Sequence, residues 1–277
     1  MYTLSQINIF PVKSLGGISL PSARVARRGL QYDRRWMLVD PDGRFVSQRE
    51  LPEMALLTTS LSERHLVVSR KNDPLDNVRI PLQPDVDSMM PLRVGIWSDR
   101  CGARLHESDI NNWFSDRLKS PLRLVHMPET TRRRADGRYA PSGQFVSFAD
   151  GYPFLLIGQA SLDDLNNRLA TPLPMDRFRP NFVFTGGHAF EEDGWGDFFI
   201  GDIPFRCVKP CARCIIPTID QQTAQRAAEP LKTFATFRKR NNKILFGQNV
   251  IWTGEGDGRV HVGTNIKVAG ESRKAAS

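Results

Sequence analysis

The sequence predicts a mainly β protein with a few helices, of the α+β class. Three observations carry that prediction. Short runs rich in β-branched and aromatic residues recur from the N-terminus to the end of the chain. Pro, Gly, Asn and Asp punctuate them at short intervals. Few segments show helical apolar spacing, and strands do not alternate regularly with helices. A barrel or sandwich is therefore expected rather than a Rossmann-like sheet.

Residues 2–10, 18–26 and 34–40 read as strands. Pro41-Asp42-Gly43 supplies turn chemistry, so 34–40 and 44–48 should form a hairpin. Segments 65–69, 78–82 and 92–97 continue the strand pattern. Residues 109–118 put Ile110, Trp113, Phe114 and Leu118 on one helical face. Residues 130–144 hold Arg132, Arg133, Arg134 and Arg138 among Gly137, Pro141 and Gly143, with almost no apolar residue. This reads as a long loop, a type of segment that is often functional. Residues 154–157 form an apolar strand, and 161–164 fit a capping box opening a helix through Leu169. Strands are expected at 182–185, 198–200, 205–208 and 215–219. Pro230 at a first helical turn predicts a helix to about Arg240. Strands at 244–252 and 260–268 close the chain. The change in composition divides it into units 1–125 and 126–270, with a short tail at 271–277.

With 277 residues, 40% of them hydrophobic and 25% charged, the chain has the composition of an ordinary globular protein. It is long enough to bury a core without disulfides. No signal-peptide pattern is visible at the N-terminus, and no apolar run approaches the roughly 20 residues of a membrane helix. Secreted, fibrous, disordered and membrane-spanning classes are thereby set aside, and a reducing cytoplasm is expected. The net charge is +8, carried by 29 Arg against 9 Lys. Arginine presents a planar fork of donors that suits phosphate and carboxylate. This points to an anionic partner (nucleic acid, a phosphorylated cofactor or an acidic protein) or to a basic solvated surface. No recognised RNA- or DNA-binding motif is present, which argues against nucleic acid.

Cys207, Cys211 and Cys214 lie within eight residues. Three chemistries compete for them. A zinc site would need a fourth ligand, and Cys101 is the available thiolate. The C-x3-C-x2-C spacing is similar to the cluster-binding triple of radical SAM enzymes, but here it sits near the end of a β-rich chain. The third possibility is one functional thiolate. Cys214, beside Arg213 and near Lys209, has the positive surroundings a thiolate needs. Cys207, inside an apolar strand, reads as a buried hydrophobe, and Cys211 stays open.

An ordered series of motifs spans both units: Pro11-Val-Lys13-Ser14-Leu-Gly-Gly17; Gly29-Leu-Gln-Tyr-Asp33-Arg34-Arg-Trp36; Ser147-Phe-Ala-Asp150-Gly-Tyr-Pro153; Phe178-Arg179-Pro180-Asn181; Lys209-Pro-Cys-Ala-Arg-Cys214; Glu229-Pro-Leu-Lys-Thr233; and Phe246-Gly-Gln248. In this order, from about residue 2 to 268, the chain resembles the MOSC-domain family, and within it the YcbX-type proteins and amidoxime-reducing components. The resemblance implies an N-terminal MOSC β-barrel unit packed on a MOSC β-barrel domain. It implies molybdenum held by a molybdopterin dithiolene and by one cysteine, which falls on Cys214. It also implies two-electron reduction of hydroxylamines, amidoximes or N-hydroxylated bases, a detoxification chemistry.

Around that cofactor, Lys13 and Ser14 suit a phosphate or pterin edge, and Arg34 suits a bidentate phosphate clamp. Ser147, Arg179, Asn181 and Gln248 are candidate cofactor contacts on the resemblance, and Asp150 a candidate catalytic group near the metal. Taken singly, Lys13 and Arg34 each read as surface charge. No plant-type C-x4-C-x2-C set occurs, so no internal iron–sulfur cluster is expected. Electrons would then come from a separate iron–sulfur or flavin protein, and the loop Arg132–Arg138 would border the pocket, receive that donor or simply be solvated. The rival reading is a sulfur carrier or molybdenum-cofactor carrier that also uses Cys214.

Overall fold

The computed structural model describes residues 1–269, so the expected tail at 271–277 lies outside the described residues. A seven-stranded barrel organises the molecule. Its strands are β1 (Tyr2–Ile9), β2 (Phe154–Gly158), β3 (Phe182–Thr185), β4 (Asp197–Ile200), β5 (Ile203–Ala212), β6 (Lys243–Trp252) and β7 (Asn265–Val268). They run round in the order β2-β3-β1-β7-β4-β5-β6, and β6 closes the ring by pairing with β2. Neighbours are antiparallel except β2 and β3, which are parallel. A parallel pair needs a crossover, and helix α2 (Gln159–Asn166) lies on the chain between them. The first strand of the chain therefore sits inside a barrel built otherwise from the second half.

Alternation explains which residues fill it. In β3, Phe182 and Phe184 enter the barrel core, while Val183 packs outward with Leu162, Leu165, Phe178 and Phe234. The rings of Phe154, Phe182 and Phe205 lie 5.4–5.5 Å apart, so the barrel interior is packed rather than open. Closure depends on Gly247, which has φ +77°. A Cβ there would meet the Leu156 carbonyl oxygen at 2.8 Å, across the β2–β6 seam.

The other unit holds a four-stranded antiparallel sheet in the order Trp36–Val39, Arg123–His126, Asp99–Leu105, Met90–Ile96. A meander of Leu57–Leu61, His65–Arg70 and Asp73–Pro81 stands beside it. Helix α1 (Ser108–Leu118) packs Ile110, Trp113, Phe114 and Leu118 against Trp36, Leu66 and Ile80. A small sheet of Gly258–His261, Ser22–Ala26 and Gly29–Leu30 ties the end of the chain to its beginning.

Several local expectations are corrected. The strand at 18–26 is split at Pro21, which has no N–H to donate. Asp40 does cap its turn, accepting the N–H groups of Asp42 and Arg44, but 44–48 forms only isolated bridges. Ser161 is no cap: α2 starts at Gln159 with Gly158 at its N-cap, and the buried Ser161 hydroxyl donates to Glu192. Residues 215–219 contain a 3₁₀ turn, Ile216–Thr218, with Pro217 in its first turn, in place of a strand. The strand expected at 260–268 is two strands, Gly258–His261 and Asn265–Val268. The strands Asp99–Leu105 and Arg123–His126 were not foreseen, because Arg- and Gly-bearing runs carry little β signal until a partner strand pairs with them.

Candidate functional site

The turn after β1 carries Lys13 and Ser14. Ser14 has φ +68°, and Gln48 Nε2 pins its carbonyl at 2.8 Å. The turn directs the Lys13 ammonium inward, where Nζ donates to the Phe148 carbonyl (2.9 Å) and to Asp150 Oδ1 (2.5 Å). Burial pushes the ammonium down, and the Asp150 carboxylate opposes that shift. For Asp150, loss of solvent around the carboxyl raises its pKa. The Lys13 ammonium, Arg49 and the Trp97 indole N–H (3.2 Å) outweigh this and hold it ionised, well below the usual range. Asp150 nonetheless keeps an accessible edge, with its side chain 59% exposed.

Beside this pair, Asp33 and Arg34 form a buried ion pair at 2.7 Å. Asp33 also accepts the Phe10 N–H at 2.7 Å, while burial pushes its carboxyl up. Arg34 donates to Asn181 Oδ1 (3.1 Å) and to the Arg179 carbonyl (3.2 Å). The guanidiniums of Arg34 and Arg179 both lie against the Phe10 ring, at 4.4 and 4.2 Å. Arg179 has φ +57° and donates to the Leu15 carbonyl at 2.7 Å. Burial, then the neighbouring Arg34, lowers the Arg179 guanidinium to about 9.

Cys214 lies in the loop between β5 and the 3₁₀ turn. Arg49, from the N-terminal unit, stacks on Trp97 (4.5 Å) and donates to Cys214 Sγ at 3.2 Å. Arg213 donates to Cys211 Sγ (3.3 Å) and to the Phe178 carbonyl (2.8 Å). Cys207 packs against the barrel core and burial raises its thiol, whereas Cys101 lies in the core of the four-stranded sheet. The three clustered cysteines thus do not share one point: Cys211 and Cys214 border one cleft, and Cys207 packs against the barrel core. Among the described residues, no group of three or more His, Cys, Asp or Glu side chains is placed to share one metal ion. The zinc and cluster-triple alternatives lack the ligand geometry they require.

One cleft gathers Lys13, Ser14, Arg34, Asp150, Arg179, Asn181 and Cys214, seven of the nine residues expected from the sequence. Two stand outside its lining. Ser147 is buried and its hydroxyl donates to the Asp33 carbonyl. Gln248 is buried and its amide donates to Asp193. Three arginines were not singled out as site residues. Arg49 and Arg213 line the cleft. Arg133, from the arginine-rich loop, is buried and donates to the carbonyls of Ser147, Ala149 and Asp150. Its burial gives that loop a structural anchor. Only the neighbouring alanines Ala135 and Ala140, which are buried with it, offered a sequence cue.

The cleft can hold an anionic group. Lys13, Arg34, Arg49, Arg179 and Arg213 converge around Cys214 with Asp150 as the partly exposed acid. Arg179 Nη2 and Arg213 Nε are buried and have no hydrogen-bond partner among the described residues. Buried donors normally find acceptors, so these two are spare donors for a bound group. A pterin dithiolene with a phosphate would offer such acceptors, and Cys214 would be a soft ligand for its metal. The residues therefore fit the cofactor that the resemblance implies.

Among the described residues, no helix is long and apolar enough to cross a membrane. Residues 1–121 match the MOSC N-terminal beta barrel domain, and residues 144–267 match the MOSC domain. Mitochondrial amidoxime reducing component 2 of Rattus norvegicus is 32% identical over 249 residues, covering 85% of this chain and 72% of that protein. Mitochondrial amidoxime-reducing component 1 of Homo sapiens is 31% identical, covering 97% of this chain and 83% of that protein. Molybdenum cofactor sulfurase of Oryza sativa subsp. japonica is 30% identical over 88% of this chain, which spans 32% of that longer protein.

Proposed function

Because the chain belongs to the MOSC-domain family, we propose that it is a molybdenum-cofactor-dependent reductase of N-hydroxylated compounds. Its substrates would be hydroxylamines, amidoximes or N-hydroxylated bases, and a separate iron–sulfur or flavin protein would supply the electrons. The observation that carries this reading is the cationic cleft around Cys214 with its two spare guanidinium donors. Lys13, Arg34, Arg179 and Arg213 neutralise and orient the anionic cofactor. Ser14 and Asn181 border it, and Cys214 completes the metal's ligand set. When bound, the cofactor supplies the two-electron change.

The protein's own work is positioning. Asp150, kept ionised by Lys13, accepts a hydrogen bond from the substrate's N–H or O–H at the accessible edge of the cleft. Trp97 and the stacked Arg49 form the rim beside it. Ser147 and Gln248 support from behind: Ser147 fixes the Asp33 carbonyl, and Gln248 holds Asp193. All four cysteines are unpaired, and we propose a reducing cytoplasm as the compartment and detoxification as the role.

The test is molybdenum and pterin content per chain, with benzamidoxime reduction driven by a chemical electron donor, in wild type and Cys214→Ala. The expected result is near-stoichiometric pterin and metal with turnover in wild type, and loss of metal and turnover in the variant. Wild-type protein free of both pterin and molybdenum, from a host that makes the cofactor, overturns the reading. The likeness to a molybdenum cofactor sulfurase favours one alternative, a sulfur or cofactor carrier acting through Cys214. A carrier would show bound cofactor or a Cys214 persulfide by mass spectrometry, and no benzamidoxime turnover.

A further inference from the structure

A second cavity, of about 680 Å³, opens on the other side of the turn that carries Arg34. Its volume falls within the roughly 300–1,000 Å³ usual for small-molecule sites. Asp33 lines this cavity while Arg34 lines the cleft, so one turn separates the two. Tyr32, Leu82, Pro84, Val86 and Pro128 contribute apolar surface to it.

The charges are unbalanced. Five arginines line the cavity against three carboxylates, and two of the five, Arg24 and Arg27, are paired with Asp257 (2.5 Å) and Glu255 (3.9 Å) outside it. Of these acids, Asp33 is taken up by Arg34 (2.7 Å) and Glu129 by Arg35 (2.5 Å). Among the described residues, Arg28 donates only to the backbone carbonyls of Pro128 and Glu129, and Arg104 only to that of Val86. Among the described residues, neither guanidinium is in an ion pair: Glu129 acts on Arg28 only through space, and Asp87, the third acid of the lining, is in no ion pair either. Two further lining residues, Arg35 and His126, have buried Nε and Nδ1 atoms without a hydrogen-bond partner among the described residues. An anionic head group would pair with the guanidiniums of Arg28 and Arg104, and an apolar body would cover the tyrosine, leucine and proline surface.

We propose that this cavity is a second binding site, for a small organic anion with an apolar body, in which Arg28 and Arg104 take the anionic head. The head is a carboxylate or a phosphate monoester, and the two share the chemistry that Arg28 and Arg104 read. The site is separate from the cofactor cleft and does not depend on the proposed reduction.

Calorimetric titration of the full chain with 1-naphthoate and with 1-naphthyl phosphate tests it and tells the two heads apart. The expected result is saturable 1:1 binding of at least one probe, weakened about tenfold or more in the Arg28→Ala/Arg104→Ala double variant. Val86→Trp, which fills the cavity, abolishes binding, while Arg179→Met in the cofactor cleft leaves it unchanged. Thermal unfolding of each variant confirms that it folds, and Val86→Trp serves should the double variant fail to. Absence of saturable binding by either probe overturns the proposal. So does binding that survives Val86→Trp or the double substitution, or that disappears in Arg179→Met.

Discussion

Replacing Arg133 by Met tests how the acidic edge of the cleft is held in place. The Arg133 side chain is only 4% exposed. It reaches three consecutive-turn carbonyls, those of Ser147, Ala149 and Asp150, and Asp99 at 2.9 Å. Asp99 is half exposed, so that ion pair contributes little. The three carbonyl bonds contribute roughly 1 kcal/mol each, because all lie on a buried donor. Arg133→Met retains most of the volume and should therefore cost about 3 kcal/mol. For a chain of this size that lowers Tm by about 6–12 °C. The same turn provides the Phe148 carbonyl and Asp150 carboxylate that Lys13 binds, so substrate turnover should fall alongside stability. Arg132→Met and Arg134→Met, at exposed positions of the same loop, should change Tm little. Urea unfolding of the three variants checks this. A loss below about 1 kcal/mol at Arg133, or equal losses at all three arginines, refutes the reasoning.

Arg179→Met should leave the stability of the cofactor-free chain within about 1 kcal/mol of wild type. It removes the Leu15 carbonyl's donor but also a desolvated cation repelled by Arg34. Pterin retention through gel filtration should fall sharply, and a variant that keeps its pterin contradicts the assigned role. Gly247→Ala forces a Cβ against the Leu156 carbonyl and Ile157 at a positive φ, so it should cost about 2 kcal/mol or more. Unfolding with the wild-type midpoint would show that the β2–β6 seam tolerates it. Acid should weaken the fold through two histidines. Burial lowers His106 to about 4 and His126 to about 3, so both stay neutral in the folded chain. Their stabilising effect is complete above the unfolded value near 6.5 and is lost as pH falls towards the folded values. Between pH 6.5 and 5 the expected loss is roughly 2 kcal/mol for each histidine, and His126→Phe should remove about half of that slope in chemical denaturation.

The resemblance put seven of the cleft's residues in view because their motifs are local in sequence: Lys13 and Ser14 in one turn, Arg34 in another, Arg179 and Asn181 round Pro180, Asp150, and Cys214. Arg133 stands among other arginines of its loop, and Arg49 and Arg213 are single arginines in their stretches. The sequence offers only weak cues, Cys214 beside Arg213 and the alanines near Arg133, because the carbonyls and the thiol they reach include partners 14 to 165 positions away. Ser147 and Gln248 show the reverse. They lie in the right motifs, but their side chains turn to the Asp33 carbonyl and to Asp193.

Alternation, helical spacing and turn residues determined from sequence alone that the chain is β-rich, that a helix lies on residues 109–118, within one residue of α1, and that β3 spans Phe182–Thr185. These signals act within a few residues of each other. That Tyr2–Ile9 joins a barrel with strands beyond residue 180 was decided only in three dimensions. So were the closure of β6 on β2 and the burial of some arginines among many exposed ones. Strand pairing and desolvation depend on which surfaces the whole fold brings together, and those free energies belong to contacts between distant segments rather than to any one of them.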